Sequence, residues 1–80
     1  MDLNKLASLT SQELTSLGRE YFFSGRHDLA LTVLQTALGK DLANGRAAAL
    51  LAYLLETQEN YQAAVEVHEA HKRVRMGRVM

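Results

Sequence analysis

A shift of 34 residues lays the chain on itself, placing Leu17 on Leu51, Gly18 on Ala52, Tyr21 on Leu55 and Ala30 on Ala64. A period of that length marks stacked supersecondary units, none of which buries its apolar face without a neighbour. Each coincidence has a physical use. Gly18 and Ala52 are small enough to let the two helices of a hairpin approach closely, as are Ala30 and Ala64 on the facing helix. Leu17 and Leu51, with Tyr21 and Leu55, then fill the space between them. Only two such units fit into 80 residues, so a single small domain with a thin core is expected.

Inside each unit the apolar residues recur at helical spacing. No segment alternates with the β-branched and aromatic enrichment of a half-buried strand. Leu3, Leu6 and Leu9 suggest a short N-terminal turn. Thr10 or Ser11 can cap a first full helix, with Glu13 where a capping box needs it. Leu14, Leu17, Tyr21 and Phe22 mark its apolar face, and Gly25 stops it. A second helix starts near Asp28, carries Leu29, Ala30, Val33, Leu34, Ala37 and Leu38 on one side, and ends at Gly39. After a loop from Lys40 to Gly45, Asn44 caps a third helix, AAALLAYLLETQ, that is apolar nearly all round. Asn60 caps the last, whose Ala63, Ala64, Val67 and Ala70 face inward. The expected fold is all-α: two antiparallel helix hairpins, the first over about residues 11–44 and the second over about 45–76.

The first unit reads L-x-x-L-G-x-x-Y from Leu14 to Tyr21, followed by a glycine at the interhelix turn and by Ala30, Leu34 and Ala37. In this it resembles the tetratricopeptide repeat family. The second unit departs from the pattern, with Ala52 for the glycine, Leu55 for the tyrosine, and His68 and His71 late in its second helix. Leu42 stands where a proline usually closes the first repeat, and the likeness extends from about Ser11 to Lys72. The resemblance implies that the first helix of each pair lines a concave groove. Its inward positions here would be Thr15, Ser16, Arg19, Phe22, Ala49, Leu50, Tyr53 and Glu56. Phe22 and Tyr53 would be rigid anchors for a partner's apolar side chain, and Arg19 could pair a carboxylate. The plainer alternative is that Phe22 and Leu50 complete a small core. Members that grip acidic chaperone tails use a set of lysines and asparagines, and Thr15, Arg19 and Leu50 stand at those positions instead.

The apolar run Ala47 to Leu55 has to be covered, and stacks of this kind usually need about three units for stability. A partner protein could cover it, as could a second copy, or the N-terminal turn with Leu3, Leu6 and Leu9 folded back as a lid. The resemblance implies a non-catalytic protein-binding module, a small chaperone or adaptor holding an apolar or amphipathic helix of another protein. Small bacterial proteins of similar size and repeat type include the cytoplasmic chaperones of type III secretion needle subunits, often working beside a second small helical chaperone. Phe22, Leu50 and Tyr53 would then face the needle subunit's C-terminal helix. A self-associating homo-oligomer and a nucleic-acid-associated regulator remain as alternatives.

The absence of cysteine removes disulfides, thiolate metal ligation and thiol nucleophiles together. His68, Glu69 and His71 spell HEAH, one residue short of the HExxH spacing of zinc proteases, so no metal is expected. No nucleophile elbow or glycine-rich phosphate loop is present and the carboxylates are dispersed, so neither catalysis nor a cofactor is expected. Nine cations balance nine carboxylates, yet Lys72, Arg73, Arg75 and Arg78 crowd the end of the chain. That tail suits the negative end of a helix dipole, and the stronger expectation is a solvated end rather than a nucleic-acid contact. MDLNKLASLT lacks the apolar stretch of a secretory signal. The longest apolar run falls far below the roughly 18 to 20 residues that cross a bilayer. A cytoplasmic protein without a membrane span is expected.

Overall fold

A computed structural model describes the backbone of residues 3–77 and the side chains of residues 5–74. The described residues form five helices and no strand: α1 (Leu3–Ser8), α2 (Ser11–Phe23), α3 (His27–Lys40), α4 (Gly45–Thr57) and α5 (Tyr61–Gly77). The fold is all-α, built as two helix hairpins, α2 on α3 and α4 on α5, with α4 also packed against α3 and α2. The expected N-terminal turn is a helix of its own. None of the described helices is long and apolar enough to cross a membrane.

The period of 34 reappears in the backbone. α2 and α4 each span 13 residues, and their caps, Thr10 and Asn44, are 34 apart. Thr10 forms the capping box: its hydroxyl accepts the Glu13 N–H at 3.1 Å, and the Glu13 carboxylate accepts the Thr10 N–H at 3.0 Å. Asn44 accepts the Ala47 N–H at 3.0 Å. Both helices end in the same motif. The Arg26 N–H reaches back to the Tyr21 carbonyl at 2.9 Å, and the Asn60 N–H to the Leu55 carbonyl at 2.8 Å. Such a reversal needs a left-handed residue after the cap, and Gly25 and Glu59 supply it with φ of 82° and 62°.

α3 begins at His27, beside the expected Asp28, and its N-cap Arg26 makes no side-chain cap hydrogen bond. Its C-terminal end differs from the expected one. The helix runs through Gly39 to Lys40, since the Asp41 N–H still reaches the Ala37 carbonyl at 3.1 Å. Asp41 then ends it by accepting the Ala43 N–H at 3.0 Å.

Leu14, Leu34, Leu54 and Val33 are the largest fully buried side chains, each worth roughly 1.5–3 kcal/mol of burial. Gly18 sets the spacing of the first hairpin, because a Cβ there would lie 2.7 Å from Leu34 Cγ. The all-apolar α4 is largely covered within the chain, contrary to the expectation that two units would leave it bare. Ala47, Ala48, Leu51, Ala52, Leu54 and Leu55 are buried, because α4 is the central helix with neighbours on three sides. Among the N-terminal leucines, Leu6 joins the same core cluster as the buried residues of α4, and Leu9 packs against it. Leu6 is buried and Leu9 partly so, and α1 borders a cleft with α2. The Lys40 ammonium ties α1 down by donating to the Ala7 carbonyl at 2.6 Å and to that of Leu9. The side chain of Leu3 lies outside the described residues, as do Arg78 and the side chain of Arg75 in the basic tail.

Candidate protein-binding groove

α2 and α4 lie side by side because their N-terminal turns share one hydrogen-bond network. Asn44 Nδ2 donates to Ser11 Oγ at 2.9 Å and to Thr15 Oγ1 at 3.0 Å. Ser11 Oγ donates onward to the Ala37 carbonyl at 2.8 Å, and Thr15 Oγ1 to the Ser11 carbonyl at 2.8 Å. Among the described residues no buried side-chain polar atom lacks a partner, which such a network requires.

Thr15 therefore departs from the groove expectation. Its side chain is 3% exposed and is spent on holding the two helices together, so it forms floor rather than contact surface. Above it opens a polar cleft of about 310 Å³ lined by Gln12, Thr15, Ser16, Arg19, Asn44 and Arg46.

The other end of the seam is aromatic. Phe22 and Tyr53, from different hairpins, meet with ring centroids 5.6 Å apart and an interplanar angle of 60°. Phe22 also stacks on His27 at 5.5 Å and meets Phe23 edge-on at 5.5 Å. The Arg19 guanidinium lies 5.5 Å from the centre of the Phe23 ring, in range of a cation–π contact. Phe22 is the hub, partly buried, while Tyr53 and Phe23 are 55% and 71% exposed. Ala49 and Glu56, also on α4, are exposed, and Leu50 is partly buried at the edge of the core.

Six of the eight expected groove positions have exposed or partly buried side chains: Ser16, Arg19, Phe22, Ala49, Tyr53 and Glu56. Of these, Ser16 and Arg19 line the polar cleft between α2 and α4, and Phe22 meets Tyr53 across the two helices. Leu50 serves both core and surface. Phe23, His27 and Arg46 went unassigned in the sequence. The Tyr21-Phe22-Phe23 run hinted at the first. His27 reaches Phe22 only because the left-handed turn at Gly25 folds it back. The HEAH segment divides as well: His68 and Glu69 are exposed, whereas His71 Nδ1 donates to the Leu42 carbonyl at 2.9 Å and ties α5 to the α3–α4 loop.

Taken together the groove offers aromatic surface at one end, a polar cleft with Arg46 at the other, and Arg19 between them, lining the cleft while its guanidinium lies over Phe23. Compared with protein-family models, curated proteins and solved structures, the chain matches none.

Proposed function

We propose that this chain is a non-catalytic protein-binding module, a small chaperone or adaptor that holds an apolar or amphipathic helix of another protein across α2 and α4. The observation that carries the reading is the Phe22–Tyr53 pair. Two hairpins converge on an aromatic cluster in which Tyr53 and Phe23 stay exposed around the partly buried Phe22. Aromatic and arginine side chains dominate the energetics of protein interfaces, and here Arg19 stands over Phe23 at the rim. The likeness of the first unit to tetratricopeptide repeats supports the same face. A needle-subunit chaperone of type III secretion is the finer form of the proposal.

Native mass spectrometry of the protein isolated from its source cells tests it, alone and with Tyr53→Ala. A one-to-one complex with a different chain, lost on substitution, is expected. A monomer that behaves identically with and without Tyr53 overturns the proposal, and a homo-oligomer lost on the same substitution replaces it by self-association.

A further inference from the structure

Because the two hairpins repeat with a shift of 34, each surface of one can be compared with its equivalent in the other. On α4, Ala47, Leu51, Leu54 and Leu55 are all buried, with α3 of the preceding hairpin packed along the helix. Their equivalents on α2 are Glu13, Leu17, Glu20 and Tyr21. No full helix precedes α2 among the described residues; α1, with six residues, falls on the register of residues 37–42 and stands in for only the end of α3. Beyond it a cleft of about 650 Å³ stays open between α1 and α2, with Leu6, Leu9, Leu17 and Tyr21 as apolar lining and Glu13, Glu20 and Lys5 at its margin.

We propose that this edge of α2 is a second docking site, which takes an amphipathic helix of another protein in the way α4 takes α3. Three features define the occupant. It runs antiparallel to α2 and packs over Leu17, Glu20 and Tyr21, with its end meeting α1. It carries an apolar stripe like that of Leu31, Leu34 and Leu38 in α3. It carries a lysine or arginine beside that stripe, because the exposed Glu20 stands where α4 has the buried Leu54 and favours a cation opposite it, whereas the Glu13 carboxylate is held in the capping box. A second copy of this chain does not meet these conditions. Of the equivalents of Leu31, Leu34 and Leu38 on its α5 edge only Val65 is apolar, and His68 and Lys72, both exposed, lack the apolar volume to fill the cleft.

The test uses the full chain labelled with ¹⁵N and, as probe, a synthetic peptide of the α3 sequence, His27–Lys40, carrying Gln35→Lys. Amide shifts are expected at Leu17, Glu20 and Tyr21 and in α1, with binding weakened about fivefold by Glu20→Lys and unchanged by Tyr53→Ala. The last readout separates this site from the α2–α4 groove. Absence of shifts at saturating peptide, shifts centred on Tyr53 and Arg46, or indifference to Glu20→Lys would each overturn the proposal. So would a doubled mass of the chain without peptide that Glu20→Lys abolishes.

Discussion

Gly25 and Glu59 occupy equivalent turns with the same left-handed backbone, φ 82° and 62°, but only one of them is a glycine. For an L residue that conformation costs roughly 1–2 kcal/mol, so the second turn holds strain that the first avoids. Glu59→Gly should therefore raise stability by about 1 kcal/mol, and Gly25→Ala should lower it by a similar amount. A Cβ at position 25 meets nothing within 4 Å, so the loss would be a backbone effect free of steric clash. Urea denaturation of both variants checks this; equal effects of the same sign would refute it. The repeat made the turn at 59 legible, while its geometry at a glutamate was not. Propensity argues against that conformation, and the hydrogen bonds from Glu59 and Asn60 back to α4 impose it.

Helix α2 owes its sharp start to the capping box. The Thr10 backbone N–H, then the Thr10 hydroxyl, hold the Glu13 carboxyl below its ordinary value of 4.5, with Lys40 adding a little and slight desolvation opposing. A carboxyl whose folded value is depressed contributes stability at neutral pH that is lost as pH falls through that lowered value. Glu13→Gln should therefore be less stable than the native chain at neutral pH, with the difference closing on acidification. Urea midpoints followed across the acid range measure it, and a pH-independent difference would show that the box works by shape alone. The spacing of Thr10 and Glu13 announced this motif, since capping is local. The continuation of α3 past Gly39 was not legible, because it depends on Asp41 reaching both Ala37 and Ala43.

At the scale of the molecule, neighbouring residues of α4 have opposite fates. Leu54 is fully buried and Tyr53 is 55% exposed. Leu54→Ala should cost about 2–5 kcal/mol, whereas Tyr53→Ala, which loses one half-exposed ring contact with Phe22, should cost about 1 kcal/mol or less. Calorimetry separates them, at roughly 4–8 °C per kcal/mol for a domain of this size. Comparable losses would mean that Tyr53 is structural, and the binding groove would lose its main support. Such a contrast could not be drawn from the run AAALLAYLLETQ, which is apolar on every side. The direction in which α3 and α5 approach decides which of its faces stays open.

Local pattern along the chain set the class and the rhythm: helices from 3.6-residue spacing, caps from Thr10 or Ser11 and from Asn44, the first interhelix turn from Gly25, and a doubling after 34 residues. These are local properties, or repeats of local properties, and they survive without knowledge of the partner helix. The packing of helix on helix, by contrast, covered α4 with its own chain, engaged Thr15 with Asn44 and stacked His27 on Phe22. It also left the α2 edge open where α4 is closed. Each of these depends on which helix lies beside which, and burial is a property of the neighbour as much as of the residue.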